Sequence, residues 1–178
     1  LVVGSIPRLS GWKPIFGQAD ANQRVLEREG VGPGDLFLFF GWFRRVEGRD
    51  HRRYVRGAQD LHVLWGWLQV GSVLKVGADP VPEWATYHPH VACPDGRNYN
   101  TIYIASDALA VGGVHAEVAG AGVFGTYHER LRLTAEGRGR SVWSLPGWFL
   151  PKEGRKPLGY YRDLSRWSGE GDRALLKT

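Results

Sequence analysis

Gly34 to Val76 reads GDLFLFFGWFRRVEGRDHRRYVRGAQDLHVLWGWLQVGSVLKV, and this stretch decides the architecture. Gly34-Asp35 is a turn dipeptide, and Leu36 to Phe43 follows with no polar break. Such a run is too short to cross a bilayer and predicts a strand buried on both faces. Leu61 to Val76 is a second apolar run. Alternation puts His62, Leu64, Gly66, Leu68 and Val70 on one face and Val63, Trp65, Trp67 and Gln69 on the other. Gly66 and Gly71 permit bends or close approach. The pair therefore predicts a hairpin whose connection carries Arg44, Arg45, Arg49, His51, Arg52, Arg53 and Arg56. That density of guanidinium suits a flat anionic partner, and equally a solvated turn.

Working outward, Leu1 to Phe16 is interrupted by Pro and Gly and predicts extended chain. Asp20 with Gln23 resembles a capping box for a helix over Ala21 to Glu29, stopped by Gly30. Pro82-Glu83 predicts a helical turn through Trp84 and Tyr87 that Pro89 ends. Asn100 to Ala105 predicts a strand, and Ser106 or Asp107 a cap for a brief helix over Ala108 to Ala110. Gly112 to Gly125 reads as a loop. Leu131, Leu133, Val142 and Trp143 flank a turn at residues 135–139 and predict a second hairpin. The fold class expected is α+β: a bent, mostly antiparallel sheet or a PUA-like (ASCH/EVE-like) barrel with a few short helices, in a single domain over residues 1–178.

The 178 residues carry 23 Lys+Arg against 18 Asp+Glu, a formal net charge of +5 that favours a polyanionic partner such as DNA. Cys93 is the one cysteine, which excludes an intramolecular disulfide and a cysteine zinc cluster and points to the cytoplasm. No stretch is long enough for a membrane span, so no membrane association is expected. There is no G-x-S-x-G elbow and no phosphate-cradling P-loop, which argues against nucleotide hydrolysis.

A flipped or unpaired base is held by aromatic stacking while its edge is read by amide, carboxylate or backbone groups. The stacking candidates are Trp42, Trp65 and Trp67, and the edge readers Gln18, Asp35, Asp60, Gln69 and Asn100. Arg44, Arg45, Arg52, Arg53 and Arg140 are the phosphate candidates. Each tryptophan has core packing as its alternative, and Asp35 that of a turn former. His88-Pro89-His90 carries the sharpest chemistry. Two histidines two apart on an extended segment face one side, with Asp60 or His62 available to complete a catalytic or two-His, one-carboxylate set. No third ligand stands at a recognisable spacing, so neither metal nor cofactor is assigned. The histidines then act as acid or base, or hydrogen-bond the loop backbone.

Phe16-Gly17-Gln18, Gly34 to Phe43, Asp60-Leu61-His62-Val63 with Gly66 to Val70, His88-Pro89-His90, Asn100 to Tyr103, and Ser144-Leu145-Pro146 with Trp148-Phe149 stand in this order in the chain. In this they resemble the nucleotide modification associated domain, third class, from about Trp12 onward. The resemblance implies a DNA base hypermodification protein of phage or bacterial systems, working with DNA or a modified nucleotide and with partner enzymes. It fixes no reaction: a binding module, a His-dependent or metal-dependent enzyme and a non-catalytic partner-binding subunit all stay open. Family members carry a longer lead with Ser-Arg-Lys-Gly-Phe-Asp-like and Pro-Ser-Pro-Ile-like stretches, which is missing here, so chemistry of that lead is expected to lie beyond this chain. Tyr160-Tyr161 also stands where a Tyr-His pair is expected.

Overall fold

A computed structural model describes residues 8–154 and 157–178; the first seven residues of the expected extended lead lie outside them. The strands and helices are, in order, β1 (Ile15–Gln18), α1 (Asp20–Arg28), β2 (Leu36–Phe43), β3 (Val46–Glu47), β4 (Arg53–Tyr54) and β5 (Leu61–Lys75). There follow α2 (Pro89–Ala92), β6 (Thr101–Ala105), β7 (Ala108–Val111), β8 (Val114–Ala119), β9 (Ala121–Val123), β10 (Val142–Pro146), β11 (Trp167–Glu170) and β12 (Arg173–Lys177). The fold is α+β, mostly antiparallel sheet with few short helices, as expected. Among the described residues no helix is long and apolar enough to cross a membrane.

The chain divides into two compact units, one of residues 1–37 with 67–122 and one of residues 38–66 with 123–178. The boundary cuts β2 and β5, so each strand gives one end to each unit. The main sheet runs β1-β6-β5-β2, with β9 also on β5. In the first unit β6 is buried along its whole length and β1 pairs with it from Ile15↔Ile104 to Gln18↔Thr101. Phe16, Phe37 and Tyr103 pack ring on ring beneath it, with centroids 4.9 to 6.1 Å apart. Tyr103, almost fully buried, donates its hydroxyl to Gln23 Oε1 of α1 at 3.1 Å. That bond satisfies two buried polar groups at once. At Gly71 the register against β6 shifts, and a Cβ there would lie 2.8 Å from Ser106 Cα. The close approach expected at this glycine is present.

The second unit has its own core of Trp143, Leu145, Trp167, Ala174 and Leu176, with Leu133, Phe149, Leu150, Leu158 and Tyr161 packed against it. It is built on the β10-β12-β11 sheet, in which Trp143 and Trp167 both face Leu176. The hairpin expected around residues 135–139 is present: Ala135 N donates to Val142 O, and Ser144 N to Leu133 O, each at 2.8 Å.

Several local expectations are corrected. β2 is not buried on both faces: Leu36, Leu38, Phe40 and Trp42 are 40 to 64% exposed. When both faces of a strand are apolar, composition hides which one meets solvent. Asp20 is not a side-chain cap. Ala19 holds the cap position, while Asp20 takes φ 57° and accepts through Oδ1 from Asn98 N. The residues read as a helix over Ala108 to Ala110 form β7. The glycine-rich loop becomes β8 and β9, with Gly112 and Gly113 at φ 61° and 81° making the two-residue turn that joins β7 to β8. Two positive φ angles at a hairpin tip are what such a turn needs, and glycine supplies them without steric cost. Pro89 does not end a helix but begins one, as its missing N–H costs nothing at the first helical position.

Candidate functional site

In the second unit the far ends of β2 and β5 and the segment after β9 enclose a cleft of about 630 Å³. Phe43, Trp65, Phe124 and Tyr127 give it aromatic walls, Leu61, Val63, Leu64 and Leu131 an aliphatic lining, and Arg44, Arg45 and Arg132 a cationic rim. A volume of this order fits a small flat ligand, and aromatic walls with few polar groups are the usual lining of such sites. Trp65 stacks on Phe39, centroids 5.4 Å apart and planes 24° from parallel, and remains 43% exposed. An indole pinned from one side and open on the other is a ready stacking surface.

The cleft's charges are partly spoken for. Arg44 lies 5.4 Å over the Tyr54 ring and 3.9 Å from Asp60 Oδ1. Arg132 pairs with Glu129 at 3.2 Å and Glu136 at 3.7 Å. Burial, then the hydrogen bond and charge of Glu129, push the Tyr127 phenol above its ordinary value, against the pull of Arg132. Tyr127 therefore stays a neutral donor near pH 7.

Of the residues expected to act together, Trp65, Arg44 and Arg45 meet at this cleft. Trp42 and Arg140 form a separate pair, with the guanidinium 3.7 Å over the indole centroid. Arg53 is tied to Glu47 at 2.7 Å within the small β3-β4 hairpin, and Arg52 is exposed beside it. His62 accepts the Trp143 indole N–H at Nδ1, 2.8 Å away, with Phe40 edge-on to its ring. Burial and then Arg140 lower its pKa, so it sits as a neutral, half-buried acceptor beside the core residue Trp143.

The other expected residues belong to the first unit. Gln69, 5% exposed, donates to Gly34 O at 3.0 Å and Ala110 O at 2.7 Å and accepts from Ala110 N at 2.7 Å. Its amide braces backbone. Asp35 Oδ2 accepts from Gly32 N at 2.8 Å, a turn contact. Trp67 donates to Ala119 O at 3.0 Å and lies against Gly122, where a Cβ would come within 2.6 Å of its ring.

His88 and His90 do come together, on a helical turn and not on an extended segment. His88 is the N-cap of α2 and its Nδ1 accepts from His90 N at 3.3 Å. The rings are 5.5 Å apart. Asn100, 7% exposed, lies 2.6 Å from His90 Nδ1 through Oδ1 and donates from Nδ2 to His90 O at 2.7 Å. Gly17 forms the floor: a Cβ there would fall 2.4 Å from His90 Cδ2 and 2.7 Å from His88 Cε1. Gln18, next along β1, accepts from Ala19 N at 3.2 Å. Burial, then His90 and Arg97, lower the His88 pKa. Asp60 and His62 belong to the second unit, and among the described residues no three His, Cys, Asp or Glu gather as a metal would need.

Reading the sequence missed Phe124, Tyr127 and Arg132 at the cleft. The only signal was an aromatic pair, Phe124 and Tyr127, closing a glycine-rich stretch. No curated protein and no solved structure matches the chain. The sequence model of nucleotide modification associated domain 3 matches residues 5–178, across both units, and the chain belongs to that family.

Proposed function

We propose that the protein takes part in DNA base modification by holding a nucleobase in the cleft of its second unit. The observation that carries this reading is the open face of Trp65 in an aromatic cleft rimmed by Arg44, Arg45 and Arg132. The base stacks on Trp65, which is worth about 1–3 kcal/mol. The arginines meet the flanking phosphates and make affinity salt-dependent. Membership of a nucleotide modification family supports the ligand class. A second reading, a subunit that docks a partner enzyme of the modification system, is favoured by the exposed apolar side chains of β2.

Incubation with plain and base-modified DNA at two salt concentrations, followed by nucleoside mass analysis, separates these. Salt-sensitive retention supports the base cleft, and altered nucleosides add catalysis. Absence of both retention and change leaves the partner-binding reading.

A further inference from the structure

The first unit holds a second arrangement of chemically useful groups, in which the hydrogen-bond partners assign the proton on each imidazole. Asn100 Nδ2 faces the His90 carbonyl, so its Oδ1 is the atom that faces His90 Nδ1. An amide oxygen only accepts, so the neutral His90 ring carries its proton on Nδ1 and leaves a lone pair on Nε2. His88 has the opposite form. Its Nδ1 accepts the His90 backbone N–H, so the neutral ring carries its proton on Nε2. Among the described residues no hydrogen bond involves Nε2 of either ring.

Two adjacent imidazoles thus offer one acceptor and one donor. Gly17 gives them their floor, since any side chain there would meet both rings. Arg97, bonded to Pro89 O at 2.6 Å and Cys93 O at 2.8 Å, holds the turn that carries them. Burial, then His90 and Arg97, disfavours a charged His88, which keeps that ring a neutral donor.

We propose that this is a proton-abstraction site for a ligand with an acidic N–H beside a carbonyl, a lactam or imide edge, with His90 as base and His88 as hydrogen-bond donor. The ligand N–H bond breaks and its proton passes to His90 Nε2, forming an imidazolium whose Nδ1–H stays on Asn100 Oδ1. The electron pair remains on the ligand nitrogen and spreads to the carbonyl oxygen, which accepts from His88 Nε2–H. His88 keeps its proton, and Asn100 is a positioning residue. The site lies within the first unit and stands independently of the nucleobase cleft.

The test is nitrogen-15 NMR of the histidine rings in the full chain near neutral pH, with uracil as probe and 1,3-dimethyluracil, which lacks the N–H, as control. The expected result is the Nδ1–H form at His90, the Nε2–H form at His88, and saturable shifts of both rings with uracil alone. Asn100→Ala is expected to give His90 a mixture of tautomers and to weaken uracil binding about tenfold. Should that variant not fold, His90→Gln removes the base while keeping a polar side chain, and is expected to abolish the response. Equal tautomers on the two rings, no response to uracil, or an equal response to the dimethyl compound would each overturn the proposal.

Discussion

Asn100 grips His90 at two points, its Oδ1 2.6 Å from the ring Nδ1 and its Nδ2 2.7 Å from the backbone oxygen. An imidazole held this way has neither ring-flip freedom nor a choice of tautomer. The floor beneath it is equally specific. Gly17→Ala places a methyl 2.4 Å from His90 Cδ2, against rings anchored on their other sides. Overpacking of this kind costs about 1–3 kcal/mol. Thermal unfolding is expected to show the loss and histidine ring NMR a displaced pair. Unchanged stability and ring signals would contradict the packing described.

Acidification is expected to destabilise the protein through His62 and His88. Both have pKa values lowered below 6.5 in the folded state, His88 by burial and then His90 and Arg97, His62 by burial and then Arg140. Below 6.5 the unfolded chain binds protons that the folded one refuses. The stability these rings confer is therefore full above 6.5 and is lost as pH falls through their lower folded values. The melting temperature is expected to fall between about pH 7.5 and about pH 5.5, and to fall less in His62→Gln and His88→Gln. A melting temperature that rises over this window would be inconsistent with two half-buried histidines held neutral in the folded state.

Gln69→Leu is expected to destabilise without touching ligand binding. It strips partners from Gly34 O and from both backbone groups of Ala110 around the buried Gln69 side chain, at a cost of about 1–3 kcal/mol. Chemical denaturation reads the cost. Weakened DNA binding with stability intact would instead make the amide an edge reader.

Arg44→Ala and Arg45→Ala are each expected to lower the salt dependence of DNA affinity by about one unit of slope, as the loss of one phosphate contact requires. Arg53→Ala, whose guanidinium is occupied by Glu47, is expected to leave the slope unchanged. An equal effect from all three would mean diffuse attraction and not a rim.

The β2-β5 hairpin was legible because Gly34-Asp35 marks its start and two apolar runs flank a polar connection. Which face of β2 meets solvent was not, since Leu36, Leu38, Phe40 and Trp42 are as apolar as the residues between them. Pro89 suggests a helix stop, proline's effect inside a helix, whereas its position after a capping His88 makes it a start. β7 and β8 escaped notice because alanine and glycine are poor strand formers, and their pairing is set by the Gly112-Gly113 turn. At the sites, His88 and His90 were legible as a pair and Trp65, Arg44 and Arg45 as neighbours in sequence. Asn100 and Gln69 are edge-reader candidates by residue type, and their partners, His90 for one and the backbone of Gly34 and Ala110 for the other, are not legible because an amide in a strand carries no mark of being satisfied. Phe124, Tyr127 and Arg132 reach the cleft only through tertiary structure.

The central claim, that a base stacks on Trp65, is tested most directly by the DNA affinity of Trp65→Ala at fixed salt. Trp65 is partly exposed, so the variant is expected to fold, and the account predicts a loss of about 1–3 kcal/mol, roughly 5-fold to 150-fold in Kd. An affinity equal to that of the unaltered protein, with the fold intact, would contradict it.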